Sequence, residues 1–391
     1  MKFAGELDLG RMHRERRARL VDAMRAQGVD ALLLLGQQNV AYATGVKVPA
    51  AEQGRALHRR PVALLTADGE EPCVWTWEPG GVPATLARSR VNGGVDLEWD
   101  DGAGSVAGEL PEGVVAVDEL TMPLAAAARA AGRVLADAGG VLTAAKVCKT
   151  ADEIECLRRA QAINEAAMVD VQAMLAPGVR ATDLTAVFYE RIFELGISSN
   201  TVDPIWQVMP RSIADGPYSA TGDVVFPTPT TPRVLERGDV VFVDTGIAYE
   251  GYQSDFGHTW VVGEEPDARR RDQAARWRAL VSAVVERIKP GATARDLTRV
   301  AEEVEGGRRR PWLAHLYLAH GTGTDSAEMP FVGTDLGDAF DAGLVLEAGM
   351  VLVLEPVIWD DGHGGFRAEE IVAVTEGGAE ILTRLDWTGY A

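Results

Sequence analysis

Cysteine is nearly absent from this chain. Three residues, Cys73, Cys148 and Cys156, in 391 cannot build a disulfide framework, and their spacing fits no thiolate metal site. They read as reduced, small hydrophobes of a cytoplasmic protein. Long apolar runs are missing as well: stretches such as Ala31–Leu35 fall far short of the roughly 20 residues a membrane span needs. The N-terminal MKFAGELDLGRMHRERRARL lacks the apolar centre of a secretory signal, so no export is expected. Basic residues are outnumbered 58 to 38 by acidic ones, a net charge of -20, which argues against nucleic acid or an anionic membrane as a partner. Four familiar catalytic signatures are also absent: the G-x-S-x-G elbow, the P-loop, the H-E-x-x-H helix and the dinucleotide-binding glycine pattern.

What remains is a folded globular composition, 47% hydrophobic and 25% charged, at a length that predicts two domains. Residues 1–145 alternate apolar strands (ALLLLG from Ala31, PVALLTA from Pro61, PCVWTW from Pro72, VVAVD from Val114) with helical stretches at Arg11–Gln27 and Leu124–Ala138. This is the pattern of an α/β domain. Trp75, Trp77 and Trp99 are expected in its core or at an interface. A change of character at Lys146 opens the second domain, 146–391. Thr150 reads as a helix cap, and an apolar stripe through Ile154, Leu157, Ala160, Ile163 and Ala167 follows it.

The second domain repeats itself. Leu175–Leu184 (LAPGVRATDL) returns as Ile288–Leu297 (IKPGATARDL), 113 residues later, with Thr182 or Asp183 expected near the first helix cap. Leu235–Asp255 (LERGDVVFVDTGIAYEGYQSD) has its echo in Leu346–Glu369, again L-E-x-G-x-V with an acid nine residues after the leucine. An internal duplication follows: helix, Pro-Gly turn, helix, and a hairpin carrying an acid. The hairpins present Asp244 with Asp255, and Glu355 with Glu369. An acid ending an apolar strand is costly unless paired or metal-bound. His320, in AHGTGT, is the candidate nitrogen ligand, beside glycines that permit close backbone approach. Four carboxylates and one imidazole are a donor set for two divalent ions, Mn, Fe, Co or Zn.

These motifs (KTADEIECLRRA, GDVVFVDTG with YQSD, AHGTG, EP and FRAEE) resemble the pita-bread catalytic domain of the M24 family: aminopeptidase P, prolidase, methionine aminopeptidase and the metal-free creatinase. The first domain resembles the creatinase N-terminal domain, so the resemblance covers nearly the whole chain. It implies that Asp244, Asp255, His320, Glu355 and Glu369 match the five metal ligands, with Glu355 also a candidate base. It further implies a homodimer acting on a short peptide or small molecule. Arg367 matches a family arginine that anchors a substrate carboxylate or a neighbouring acid.

The sequence departs from that pattern in its imidazoles. Ala327 stands where the family carries a second histidine, seven residues after the ligand one. Leu316 stands four before it, with His315 one out of register, and Val224–Pro232 offers no histidine upstream of Asp244. His258 and His363 are the remaining candidates for proton transfer. The default expectation is an Xaa-Pro aminopeptidase-like hydrolase, shifted by these departures toward a small C–N substrate such as a cyclic amidine or a modified amino acid. The alternatives are a metal-dependent lyase on the same fold and a non-catalytic binding module. Trp206 and Phe331 are the aromatic candidates for capping the pocket.

Overall fold

The computed structural model describes residues 3, 5–47, 60–197, 203–212 and 230–385. It divides into two compact units, Leu7–Lys146 and Val147–Ala391, the latter joined by Met1–Glu6.

The smaller unit is built on a six-stranded mixed sheet of order β4-β3-β2-β1-β5-β6. Its strands are β1 (Ala31–Leu34), β2 (Val62–Thr66), β3 (Cys73–Thr76), β4 (Val91–Gly93), β5 (Val114–Val117) and β6 (Val134–Asp137). β1 lies inside the sheet, antiparallel to β2 and parallel to β5. Both faces of β1 are covered. Leu32 and Leu34 join one apolar cluster with Leu20 and Met24 of the helix Leu9–Gln27, while Ala31 and Leu33 join another with Val106 and Leu124 from the helices on the opposite face. An uninterrupted apolar run is what such a doubly covered strand requires. One expectation needs correction here. The helix expected over Leu124–Ala138 is Met122–Ala130, and residues 134–137 form β6 instead. Gly132, at φ 71°, lets the chain leave the helix, and Val134 then pairs with Val114. Of the three tryptophans only Trp75 is core; Trp77 and Trp99 are exposed.

The larger unit holds two antiparallel sheets. One runs β11-β8-β7, with β7 (Ile205–Val208), β8 (Val240–Thr245) and β11 (Phe256–Val261); short β9 (Ala248–Tyr249) and β10 (Tyr252–Gln253) form the hairpin tip between the last two. The other runs β13-β12-β14-β17-β18, with β12 (Ala319–Gly321), β13 (Glu328–Val332), β14 (Val351–Leu354), β17 (Glu370–Thr375) and β18 (Gly378–Ile381); β15 (Ile358–Asp360) and β16 (Gly364–Phe366) are its hairpin tip. The duplication is physical. In the first half Gly178 donates to Leu235, Leu235 to Val179 and Ala181 to Arg233; in the second Gly291 donates to Leu346, Leu346 to Ala292 and Ala294 to Leu344, all at 2.8–2.9 Å. The same three backbone bonds thus tie each Pro-Gly turn to the strand that will carry an acid.

Helices Ala151–Met174, Ala181–Glu194, Ala268–Arg287 and Ala294–Val304 cover the sheets, with Ile163, Phe188, Trp277 and Leu297 in one continuous core. Thr150 caps its helix as expected, in a reciprocal box with Glu153. In the helix after Pro177 the N-cap is Arg180, and Asp183, near the cap as expected, accepts from its N–H at 3.0 Å. All three cysteines are free thiols. Among the described residues no helix is long and apolar enough to cross a membrane.

Candidate metal centre

Asp244 sits on β8 opposite Gly257 of β11, and Asp255 immediately precedes β11. Glu355 follows β14, where its backbone N–H donates to Leu318, and Glu369 immediately precedes β17. The two hairpins are stitched together: Glu369 N–H donates to the Gly257 carbonyl at 3.1 Å, and Thr259 Oγ1 both donates to the Arg367 carbonyl and accepts from its N–H. A Cβ at Gly257 would lie 2.2 Å from Glu369 Oε1, so any other residue there would displace that carboxylate. Asp244 lies one residue before the end of β8 and the other three acids each adjoin a strand end, so the strands position all four backbones. One oxygen each of Asp244, Asp255 and Glu369 lies within 4.8 Å of the others.

His320, on β12, completes the group. Its Nδ1 lies 2.8 Å from the Gly321 carbonyl and therefore carries the proton. Nε2 faces two carboxylates, Glu355 at 2.8 Å and Asp255 at 3.4 Å. So many acceptor oxygens gathered together call for a cation among them. Arg367 supplies one: its guanidinium contacts Glu355 and lies 3.1 Å from Asp244 and 2.6 Å from Glu369. One guanidinium against four carboxylates leaves negative charge uncompensated. Accordingly Glu355 Oε1 and both oxygens of Glu369 are buried without a hydrogen bond of ordinary geometry. Burial, and then the neighbouring carboxylates, raise Asp244 above the ordinary carboxylate range and Glu369 well above it, against the pull of Arg367. An oxygen-rich set with one imidazole nitrogen suits divalent Mn, Fe, Co or Zn.

Asp244, Asp255, His320, Glu355 and Arg367 line a cavity of about 300 Å³. The opposing lining is mostly apolar: Ile205, Leu316, Ala327 and Val357.

Comparison with known proteins agrees with this geometry. The sequence profile of metallopeptidase family M24 matches residues 155–376, and that of the creatinase/prolidase N-terminal domain matches residues 16–159. The chain belongs to metallopeptidase family M24. It is 31% identical over 297 residues to the probable dipeptidase PepE of Mycobacterium tuberculosis, covering 72% of each chain. To the Xaa-Pro dipeptidase of Pyrococcus furiosus it is 31% identical over 243 residues, which span 62% of this chain and 64% of that one. The crystal structure of dipeptidase PepE from Mycobacterium ulcerans superposes with a TM-score of 0.75 at 26% identity, covering 97% of this chain and 98% of that one. The creatinase-like first domain and pita-bread second domain expected from the motifs are thus the architecture of this M24 protein, and the family implies divalent metal.

Two histidines named from the sequence lie elsewhere. His258, on β11, is buried between the rings of Trp260 (5.9 Å) and Phe366 (5.7 Å) and does not line the cavity. Its Nδ1 lies 2.8 Å from the Thr259 carbonyl and 2.7 Å from the Thr259 backbone nitrogen. His363 is exposed in the turn between β15 and β16. His315 is exposed beside Asp335 at 2.7 Å, leaving Leu316 to face the cavity. Val224–Pro232 lies outside the described residues up to 229. Of the expected aromatic caps, Trp206 is buried in the core, its Nε1 donating to Thr185, while Phe331 packs behind His320. Among the described residues the aromatic that lines the cavity is Tyr317, a position the motifs do not single out. Burial, and then Asp255, Glu369 and Asp244, push its phenol up to about 12 despite Arg367.

The His258 environment predicts an acid-sensitive fold. Burial lowers its pKa from 6.5 to about 4, so the folded state binds fewer protons than the unfolded chain between those values. The stability this neutral ring contributes is present above about pH 6.5 and lost as pH falls toward 4, about 3 kcal/mol in all. Urea unfolding at pH 7 and pH 4.5 should show the drop, and His258→Asn should shrink it; an equal drop in both proteins would contradict the assignment.

Proposed function

We propose that this M24 protein is a divalent-metal-dependent hydrolase of the Xaa-Pro dipeptidase type, cleaving a C–N bond of a short peptide. The observation that carries this reading is the convergence of Asp244, Asp255 and Glu369 within 4.8 Å, with Asp244, Asp255, His320 and Glu355 lining a cavity. In the proposal these five residues hold two ions of the Mn, Fe, Co or Zn class. When bound, such ions supply Lewis acidity at the scissile carbonyl and a water nucleophile active at neutral pH.

The chain's own residues do the rest. Glu355, buried between His320 and Arg367, takes the proton of the attacking water at its carboxylate and delivers it to the departing nitrogen. The hydroxyl of that water ends on the acyl carbon, so the bond is hydrolysed with no other reactant. Arg367 fixes Asp244, Glu355 and Glu369 by its planar fork and restrains their mutual repulsion. The apolar wall of Ile205, Leu316, Ala327 and Val357 excludes water and suits a small apolar group such as a proline ring. The proposal extends to a cytosolic homodimer, which rests on the family resemblance.

The test is direct. Protein loaded in turn with Mn²⁺, Fe²⁺, Co²⁺ and Zn²⁺ is incubated with a panel of Xaa-Pro dipeptides and longer Xaa-Pro peptides, and products are identified by mass spectrometry. Release of proline or a Pro-peptide, abolished by chelator, is the expected result. An alkene product would establish elimination instead, and no turnover with any metal would overturn the reading. Metal analysis and light scattering report ion count and oligomeric state.

A further inference from the structure

The hydrogen-bond donors on the cavity wall can be taken one by one. Arg367 is held by Asp244, Glu355 and Glu369. His320 Nδ1 is held by the Gly321 carbonyl. The Ser254 hydroxyl is tied to Asn164 and to both backbone groups of Ile247. Among the side-chain donors of the described lining residues this leaves the hydroxyls of Tyr317 and Ser326, and Ser326 is exposed. Tyr317 is different. Its ring stands edge-on to His320 at 5.5 Å and to Phe331 at 6.0 Å, so two near-perpendicular contacts fix where the phenol points. The residue lines the same cavity as Asp244, Asp255, Glu355 and Arg367.

From this placement we propose that Tyr317 is a catalytic residue, its hydroxyl donating a hydrogen bond to the oxygen of the scissile carbonyl as negative charge develops there. The inference rests on the hydrolase reading above. It involves no transfer of the phenolic proton: the O–H stays intact and acts as a fixed donor, of the kind whose removal typically costs 10²- to 10³-fold in turnover. The rigidity of the ring matters here, because a donor already in place need not reorganise as charge builds.

Tyr317→Phe keeps both ring contacts and removes only the oxygen. In the full-length, metal-loaded protein, kcat on the best Xaa-Pro substrate is expected to fall about 10²-fold with KM changed by no more than about threefold. Metal content, measured by mass spectrometry, should be unchanged. A second readout does not need turnover: acetohydroxamate, whose carbonyl oxygen takes the place of the substrate's, should bind the variant about tenfold more weakly by calorimetry. Equal kcat and equal hydroxamate affinity in the two proteins would overturn the assignment of Tyr317, as would a rise in KM alone. Loss of hydroxamate binding in the variant supports it even if no peptide is cleaved, in which case only the peptidase reading falls. If the loaded wild type neither binds hydroxamate nor cleaves peptide, the metal-centre reading and this inference fall together.

Discussion

Glu369→Gln is expected to destroy divalent-ion binding and turnover while leaving the metal-free protein at least as stable as the wild type near pH 7. The two effects have opposite signs for one reason. Glu369 is fully buried, and its pKa is raised first by desolvation and then by Asp255 and Asp244. At neutral pH the folded wild type must therefore either hold an unfavourable charge or take up a proton, and the neutral amide removes that demand. The same charge is what a divalent ion requires. Replacing partners that merely orient a ligand costs 10- to 100-fold in metal affinity, and losing a ligand itself should exceed about 100-fold. Urea unfolding of chelated protein and calorimetric titration with Mn²⁺ measure the two sides. A variant that binds Mn²⁺ as the wild type does would sink the ligand assignment. A variant that binds no metal but is also markedly less stable would mean that Glu369 is a structural partner of Arg367.

How much of this was legible in the sequence depends on what each feature encodes. The duplication was, because L-E-x-G-x-V at Leu235 and Leu346 specifies the same local bonds to a Pro-Gly turn, and the structure makes the same three in each half. The convergence of Asp244 with Asp255, and of Glu369 with both, follows from strand ends brought together by register. Side-chain direction outside the ladders was not legible. Tyr317 precedes β12 by two residues, and no periodicity tells whether a residue there faces cavity or solvent; His315, two residues earlier, faces solvent at φ 64°. The one available signal was an aromatic residue three before the candidate histidine. His258 misled for the reverse reason. A histidine three residues past Asp255 on a strand is fixed by the pleat, and this one is enclosed by Trp260 and Phe366. β6 reads as helix from sequence because Ala125–Ala131 is so rich in a strong helix former that the pattern runs on past Gly132.

The thermal stabilities of metal-loaded and chelated protein are expected to diverge as pH rises. Asp244 and Glu369 have folded pKa values raised above those of the unfolded chain. Without metal, the stability they contribute is present below the ordinary carboxylate range and is lost as pH rises through the raised values. A divalent ion reverses this, because it binds the ionised carboxylates and releases their protons; its stabilising effect therefore grows with pH over the same window. At free ion a thousandfold above Kd the linkage amounts to about 4 kcal/mol. Scanning calorimetry of the full chain at pH 5, 6, 7 and 8, with chelator or with excess Mn²⁺, should show a gap in Tm that is small at pH 5 and widest at pH 8. A gap of constant size would mean that the ion binds away from the raised carboxylates. Asp244→Asn, which removes one of them, should narrow the gap chiefly at its high-pH end, where the wild-type aspartate is ionised and the amide offers no charge to the ion.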